Sequence, residues 1–544
     1  MAKFLKPNHI KNFINRYIYQ SVSEMIQPSS KKSYEQAVAK LNSLQTNAAV
    51  LERAKQDKDR TAALNVPQTE KYLQRLGILH FDLDKLNIIH VSGTKGKGST
   101  CAFTEAILRC HNLKTGFYSS PHLISVRERI RINGQPLSKN KFADYFWEVF
   151  EKLDNSKEHP TDLPAYFKFL TVMAFYVFLK EEVNVAVIEV GIGGQFDCTN
   201  VIRQPVVCGI TSLGLDHTSI LGDTVEKIAW HKAGIMKPGA PAFTVVQPES
   251  AVDILQDRAF ERETEVHFVP PLEAYRWFPY PPHLGLYGEV QKLNASLALQ
   301  LTRYWLKWHS SGSAIAGCEP FRLPWKSALG LRAAKWPGRC QTVRKGNLFY
   351  LLDGAHTVES LTECSIWFSK TSKILTESAD ALREKILKVL VFNATGDRSP
   401  KLLLSCLVEH DWDYVILTTN VLVPDQSCSS DITNFQVSRE SQLRRLEQNK
   451  VAWMELQNTE PAKSSTLVFE YISDVLSWIS EKERNGHFEQ IQVLVTGSLH
   501  LVGGLLSGIQ PDITEEDESG SFKILKSHYK HLWDLRENSS PGTP

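Results

Sequence analysis

A short apolar segment that runs into a glycine-rich loop and then into a helical pattern constrains the fold of this chain most strongly. Residues 86–91 read Leu-Asn-Ile-Ile-His-Val, and Gly93-Thr-Lys-Gly-Lys-Gly-Ser99 follows after one residue. From Thr100 to Cys110 the apolar residues recur at helical spacing. A strand, a glycine-rich turn and a helix in this order are typical of the first part of a parallel βαβ unit.

The same order of patterns recurs further along the chain. Val183–Val190 is an apolar strand that ends in Gly191-Ile-Gly-Gly194, and Val206–Thr211 is another that ends before Asp216-His217. Strands that alternate with helices indicate a parallel sheet covered on both sides. We therefore predict an α/β fold, with a P-loop-type, mostly parallel sheet and helices on both faces.

A second group of strand patterns follows a Ser- and Gly-rich connection at residues 310–320. These patterns predict a smaller, Rossmann-like α/β domain, and they lie at Leu348–Leu352, Lys388–Phe392, Tyr414–Thr418 and Gln492–Thr496. The predicted organisation is an extension at 1–32, a central domain at 33–310, a linker at 311–335, a C-terminal domain at 336–510 and a flexible tail at 511–544. The stretches 370–386 and 424–465 are predicted to be polar insertions.

Charge and hydropathy exclude several classes of protein. Lys+Arg 62 against Asp+Glu 60 leaves a net charge of +2, too little for a chain whose whole surface binds nucleic acid. The longest apolar run, Phe169–Leu179, is shorter than the roughly 20 residues that span a bilayer, so it predicts a buried helix. The nine cysteines form no CxxC pair, which favours a reducing compartment over a disulfide framework.

The first 23 residues contain Lys3, Lys6, Lys11 and Arg16 and no acidic residue before Glu24. This pattern resembles a mitochondrial transit segment in its charge, although not in its serine content. A disordered basic start is the alternative.

The glycine-rich loop has the chemistry of a phosphate site. Free backbone N–H groups at the start of a helix suit a phosphate chain, Lys97 would neutralise its charge, and Ser99 or Thr100 adds a hydroxyl donor. Against the general GxxxxGK[ST] pattern, Val91 stands in place of the first glycine and Gly98 in place of the hydroxyl residue. A glycine-rich turn with an exposed lysine remains the structural alternative.

Polar residues close to strand ends are candidates for a metal site. Glu189 is the one charge within an apolar strand, where a carboxylate is costly without a cation. His217 follows another strand, and Ser120 precedes Pro121 in a predicted turn. Each residue also has a purely structural interpretation. Glu189 could be satisfied by backbone donors, His217 could be a buried structural histidine, and Ser120 could belong to an ordinary turn. Magnesium prefers oxygen ligands beside substrate phosphates.

The loop Gly93-Thr-Lys-Gly-Lys-Gly-Ser99 resembles the phosphate loop of the folylpolyglutamate synthase and Mur ligase superfamily. The resemblance extends from Ser33 to Leu506 and includes four more motifs: Trp336-Pro-Gly-Arg339, Tyr350-Leu-Leu-Asp-Gly-Ala-His356, Gly396-Asp-Arg-Ser-Pro400 and Val493-Leu-Val-Thr-Gly-Ser-Leu-His500. It implies that the central domain binds ATP and folate and that the C-terminal domain is the glutamate-ligase domain.

The resemblance also implies roles for individual residues. Mg²⁺ would be held by Ser120, Glu189 and His217, with a monovalent cation such as K⁺ as a further candidate. Lys232 aligns with a lysine that this superfamily often carbamylates, although a helix-end lysine is the plain alternative. The implied ATP contacts are Gly96, Lys97, Gly98, Ser99, Asn294, Arg339 and Asp353. The implied catalytic residues are Lys97, Lys232 and His356. Val290 departs from the pattern, because histidine is common there.

The implied activity is ATP-dependent addition of L-glutamate to the γ-carboxylate of tetrahydrofolyl-(poly)glutamate through an acyl phosphate, which releases ADP and phosphate and serves one-carbon metabolism. The expected partners are ATP, reduced folates and L-glutamate, without nucleic acid or a membrane span. A monomer in the cytoplasm and mitochondria is expected. Two rivals stay open: a dihydrofolate synthase or bifunctional enzyme of the same superfamily, and a nucleotide-binding module without catalysis.

Overall fold

The computed structural model describes residues 32–45, 62–277, 283–312, 317–379, 385–394, 398–424, 431, 438–457 and 464–510. The basic N-terminal segment, the predicted tail from Pro511, and Gly396 and Asp397 lie outside these residues. Within the described ranges, no helix is both long and apolar enough to cross a bilayer.

The described part of the chain forms two sheets. The first has eight strands: β1 (Ile89–Ser92), β2 (Thr115–Tyr118), β3 (Ile130–Ile132), β4 (Gln135–Pro136), β5 (Val185–Glu189), β6 (Val207–Ile210), β7 (Ala242–Thr244) and β8 (Val266–Phe268). Their order is β4-β3-β2-β5-β1-β6-β7-β8, and all neighbours are parallel except at the β2-β3-β4 edge. The carboxyl ends of β2, β5, β1 and β6 are therefore adjacent, and polar loops after these strands meet.

Helices cover both faces of this sheet in the part of the chain that is described. They are α1 (Tyr34–Asn42), α2 (Asn65–Arg75), α3 (His80–Asp84), α4 (Lys97–Cys110), α5 (Lys139–Asn155), α6 (Tyr166–Lys180), α7 (Thr218–Leu221), α8 (Val225–Ala233), α9 (Glu249–Glu261), α10 (Val290–Ser311) and α11 (Trp325–Ala333). Short 3₁₀ turns lie at Val126–Arg129, Cys198–Val201 and Leu272–Ala274.

Burial on both faces explains why the strands are continuous apolar runs. In β5, Val185 and Val187 pack with α4 and α10, whereas Ala186 and Ile188 pack with α5 and α6. The predicted buried helix at Phe169–Leu179 is confirmed as the main part of α6. Its apolar side chains belong to the same core cluster as Ala186 and Ile188.

The second sheet has six strands in the described residues: β9 (Gln341–Lys345), β10 (Leu348–Leu352), β11 (Ile386–Phe392), β12 (Tyr414–Leu417), β13 (Ser465–Val468) and β14 (Gln490–Thr496). The order is β13-β12-β11-β14-β10-β9, and only β9 is antiparallel. Its helices are α12 (Val358–Ala379), α13 (Pro400–Ser405), α14 (Arg439–Gln457), α15 (Ile472–Asn485) and α16 (Leu499–Ile509). The predicted fold class, two α/β sheets with helices on both faces, is thus confirmed.

Two predicted polar insertions need correction, because helices occupy much of 370–386 and 424–465. The end of α12 falls in the first stretch, and all of α14 falls in the second. Although α14 is rich in charge, Leu446, Ala452 and Trp453 are buried against the second sheet's core. A few apolar residues on one face are enough to hold a polar helix in place.

The segment that we expected to be a linker contains α11, which packs closely against α4. Ala328 and Leu331 are buried in one cluster with Phe103 and Ile107 of α4. A Cβ at Gly330 would lie 2.5 Å from the Ile107 Cα atom, so the two backbones touch at this glycine.

We expect Gly330→Ala to destabilise the protein by about 1–3 kcal/mol, because backbone cannot move aside as a side-chain end can. The better helix propensity of alanine, worth about 1 kcal/mol, offsets only part of this cost. Thermal and urea unfolding would measure the change. Gly508→Ala is the matched control, because its Cβ would meet only the end of the Leu476 side chain, at 2.4 Å. Equal stability of both variants would contradict the close helix contact.

Candidate active site

The loop between β1 and α4 takes a shape that requires glycine at two positions. Gly93 has φ +142° and Gly96, which caps α4, has φ +90°. A Cβ at Gly93 would lie 1.8 Å from Thr211 Oγ1, and one at Gly96 would lie 2.1 Å from Asn294 Oδ1. The backbone therefore turns tightly into α4, whose free N–H groups and positive helix end suit an anion.

Two lysine ammonium groups lie at this loop. Lys97 Nζ donates to the Gly93 carbonyl at 3.1 Å, and Lys232 Nζ donates to the same oxygen at 2.6 Å. Lys97 lines a cleft between the two sheets, together with Gly96, Gly98 and Ser99. Lys232 is only 3% exposed and lies beneath the loop, outside the cleft lining. Burial, reinforced by the charge of Lys97, holds the pKa of Lys232 well below its ordinary value.

The three predicted magnesium ligands lie at the carboxyl ends of β2, β5 and β6, which are neighbours in the sheet except that β1 lies between β5 and β6. Glu189 is the last residue of β5, Ser120 follows β2 and His217 follows β6, and all three line one cleft. Glu189 is 4% exposed and accepts a hydrogen bond from the Ser120 N–H at 3.2 Å. Burial raises the pKa of Glu189, against the opposing charge of Lys97. Burial lowers the pKa of His217 to about 4, which leaves its imidazole neutral at pH 7.

This donor set fits Mg²⁺ better than a transition metal. Within the described ranges, no group of three or more His, Cys, Asp or Glu side chains could hold a metal by itself. A carboxylate, a hydroxyl and one imidazole leave positions for water and phosphate oxygens, which Mg²⁺ usually keeps. A bound cation would offset the free energy cost of desolvating the buried Glu189 carboxylate.

The second sheet contributes residues at the ends of β10 and in the loop before β9. Asp353 accepts from the Cys340 N–H at 2.7 Å and from the Ala355 N–H at 2.8 Å, so it ties these two loops together. Arg339, next to Cys340, lines the cleft, as does Asp353 itself. In the first half, Asn294 of α10 accepts from Thr100 Oγ1 at 3.3 Å.

His356 has a defined tautomer in this arrangement. Its Nδ1–H donates to the Gly354 carbonyl at 2.8 Å, so Nε2 carries the lone pair and lies 3.2 Å from Lys95 Nζ. Burial lowers the pKa of His356, which keeps the ring neutral near pH 7. His356 can therefore accept a proton at Nε2.

An ion-pair cluster that the sequence patterns did not identify joins the two halves. Asp216 accepts from Lys95 Nζ at 2.8 Å and from Arg398 Nη2 at 2.8 Å, and His356 Nε2 lies 3.7 Å away. Burial of Asp216 works against ionisation, but the charge of Lys95 and its hydrogen bond to the carboxylate outweigh it and hold the pKa of Asp216 well below its usual range. The position of Asp216 at a strand end, beside His217, was the only sequence signal for this cluster.

Most of these groups line one cleft of about 1340 Å³ between the two sheets. Of the predicted site residues, only Lys232 does not line it. The wall also contains the aromatic rings of Tyr166, Phe167 and Phe196. Val290, the position that departs from the family pattern, also lines the cleft. The arrangement combines an anion-binding loop, a cation site and an aromatic wall.

Comparisons with known proteins agree with this architecture. Residues 338–508 match the family model described as "Dihydrofolate synthetase, C-terminal domain". The chain is 44% identical to human mitochondrial folylpolyglutamate synthase over 89% of this chain and 92% of the human protein. It is 40% identical to a Saccharomyces cerevisiae folylpolyglutamate synthase over 87% of this chain and 86% of the yeast protein.

A solved structure of the Mycobacterium tuberculosis folylpolyglutamate synthase, complexed with ADP, shares the fold. Its TM-score is 0.63 at 21% sequence identity, over 86% of this chain and 98% of the solved one. At this identity the likeness concerns the fold alone.

Proposed function

This chain belongs to the folylpolyglutamate synthase family, and on that premise we propose that it adds L-glutamate to the γ-carboxylate of folates at the expense of ATP. The products are ADP and phosphate. The observation that carries the proposal is the convergence of Lys97, Glu189, Asp353 and His356 on one cleft between two sheets.

ATP binds with its phosphates on the loop before α4. The N–H groups of Lys97, Gly98 and Ser99 and the Lys97 ammonium neutralise the phosphate oxygens, and Arg339 adds a guanidinium from the second half. Asn294 and Asp353 hold the nucleotide from α10 and from the end of β10. When bound, Mg²⁺ would be held by Ser120, Glu189 and His217 and would supply further positive charge beside the β and γ phosphates. K⁺ remains a candidate second cation.

Forming an amide from two free substrates in water is uphill, so the carboxylate is activated first. A γ-carboxylate oxygen attacks the γ-phosphorus of ATP, the bond to ADP breaks, and an acyl phosphate forms. The amine of glutamate then attacks the acyl carbon, and phosphate leaves with the former carboxylate oxygen. The protein's contribution is positioning and charge neutralisation, chiefly by Lys97 and the loop N–H groups. His356 Nε2 receives a proton from the attacking amine.

Lys232 has the environment that carbamylation requires. Only the neutral amine reacts with CO₂, and burial lowers the Lys232 pKa toward that form. A carbamate there would be a carboxylate-like group beneath the phosphate loop. We propose this modification as part of the same site, and intact-mass measurement in bicarbonate buffer would detect it.

A dihydrofolate synthase activity is the second candidate, because the matching family model carries that description for residues 338–508. The two activities differ in the acceptor: dihydropteroate has no glutamate, whereas the polyglutamate enzyme extends an existing γ-carboxylate.

ADP release with each acceptor in turn tests the proposal. We expect ADP production that requires both tetrahydrofolate and L-glutamate, measured in a coupled assay. Glutamate-dependent ADP production with dihydropteroate but not with tetrahydrofolate would favour the dihydrofolate synthase. ADP production with either acceptor would indicate a bifunctional enzyme. ATP binding without glutamate-dependent ADP release for either acceptor would leave only a nucleotide-binding module.

The cellular location follows from the relatives only in part. The human relative is named as mitochondrial, the yeast relative is not, and this chain begins with a basic segment. We propose both a mitochondrial and a cytoplasmic location, which fractionation of cells that produce the full chain would test.

A further inference from the structure

Two buried cations outside the phosphate loop line the cleft. Arg129 ends the 3₁₀ turn Val126–Arg129, and Lys168 lies in the first turn of α6. Each residue is only 8% exposed, yet both line the cleft. Neither belongs to the predicted nucleotide or metal site.

The contacts of Arg129 orient its guanidinium without neutralising it. Its Nε donates to His122 Nδ1 at 2.9 Å, and its Cζ lies 5.4 Å from the centre of the Tyr166 ring. The other ring nitrogen of His122 donates to the Asp431 carbonyl at 2.9 Å, which fixes the tautomer. In the described part of the chain, no carboxylate lies within 4 Å of the Arg129 guanidinium. Its two terminal nitrogens are therefore available as a fork for an oxyanion.

Lys168 is in a similar position two residues beyond Tyr166. Its ammonium donates to Gln68 Oε1 of α2, a neutral acceptor, and again no described carboxylate lies within 4 Å. Burial lowers the pKa of Lys168. Buried cations are costly unless an anion accompanies them. Two of them in one cleft wall indicate that an anionic ligand completes the site.

The neighbours of these cations indicate which anion this is. Tyr166, whose ring lies against the Arg129 guanidinium, and Phe167 directly precede Lys168 and line the same cleft, so the ligand combines an aromatic part with negative charge. Arg129 lies toward the predicted metal site, because it contacts both sides of Ser120: its Nε donates to His122, and its carbonyl accepts from the Ser119 N–H at 3.1 Å. A folate has this combination: an aromatic body, and a glutamyl tail whose α-carboxylates do not react. Each added glutamate brings one more of these carboxylates.

We propose that Arg129 and Lys168 bind the α-carboxylates of the acceptor's glutamyl tail, and that they thereby set the preference among acceptors of different tail length. The inference rests on the proposed function, because it assigns the tail of that same substrate. Arg129 holds the α-carboxylate nearest the reacting γ-carboxyl group. Lys168, whose ammonium contacts Gln68 of α2 and no residue of the predicted nucleotide or metal site, holds one that only longer tails supply.

Steady-state kinetics with tetrahydrofolate mono- and triglutamate separate these roles. Arg129→Ala should raise KM for both acceptors by about tenfold to a hundredfold, the effect of losing a charge-assisted hydrogen bond. Lys168→Ala should raise KM mainly for the triglutamate. Both variants should keep the KM for ATP within about twofold of wild type. Arg129→Lys, which keeps the charge but loses the fork, should recover part of the loss.

Lys180→Ala is the matched control, because it removes one positive charge from the exposed end of α6, outside the cleft lining. It should leave both acceptor KM values unchanged. A lower melting temperature with unchanged acceptor KM values would show that Arg129 and Lys168 are only structural, and would overturn the proposal. So would an equal effect of Lys168→Ala on both acceptors.

Equilibrium dialysis without ATP keeps this test independent of catalysis. We expect wild-type protein to bind pteroyltriglutamate, and Arg129→Ala to bind it at least about tenfold more weakly. Equal binding by both proteins would overturn the tail site. If wild-type protein bound pteroyltriglutamate but released no ADP in the coupled assay, the ligase activity would be refuted. The site for the glutamyl tail would still stand.

Discussion

Lys97→Ala should lower glutamate-dependent ADP release by about a thousandfold and leave the fold intact. The ammonium lies at the phosphate loop, 3.1 Å from the Gly93 carbonyl, where the transferring phosphoryl group would bind. Removing a single preorganised donor from such a site costs about 10²–10³ in rate, and Lys97 also carries a full charge. Alanine is a good helix former at the start of α4, so no loss of structure should accompany the loss of rate.

The coupled ADP assay measures this change, and thermal unfolding checks the fold. Lys85→Ala serves as the control, because Lys85 is 63% exposed, pairs only with Asp82 three residues earlier among the described carboxylates, and lies outside the cleft lining. It should retain the wild-type rate. If Lys97→Ala still joined glutamate at the normal rate, the loop before α4 would not be the site of phosphoryl transfer.

Glu189→Gln should raise the magnesium concentration at half-maximal rate by about tenfold or more and lower the maximal rate. The amide keeps the size of the side chain and an oxygen for the Ser120 N–H, but it removes the negative charge that a cation requires. Because the wild-type carboxylate is buried and its pKa is raised, the neutral amide should cost no stability. Loss of rate with unchanged melting temperature would thus point to the metal.

Magnesium titration at fixed total ATP is the measurement. The matched control is Glu182→Gln, the same isosteric change at an exposed residue in the turn after α6. This control should titrate like wild type. An unchanged magnesium curve for Glu189→Gln would remove Glu189 from the metal site and leave it as a strand-end glutamate satisfied by Ser120.

The strands that were predicted from the sequence belong to continuous apolar runs that are buried on both faces. Leu348–Leu352 coincides with β10, and Val183–Val190 contains β5, because a parallel strand between two helix layers is a continuous apolar run. Thr115–Tyr118, Ala242–Thr244 and Val266–Phe268 were not identified. They are short, and nothing in their local pattern distinguishes them from loop residues.

Local sequence by itself determined the strand, loop and helix units, the α/β class and the phosphate-loop chemistry, because each depends on residues that are neighbours in the chain. Only the tertiary structure decided which strand ends meet. The pairing of β1 with β5 and β6 brings Glu189 and His217 beside the loop. Packing of the two halves brings Arg398 to Asp216 across 182 residues. Such contacts depend on how whole layers pack, and no short pattern encodes them.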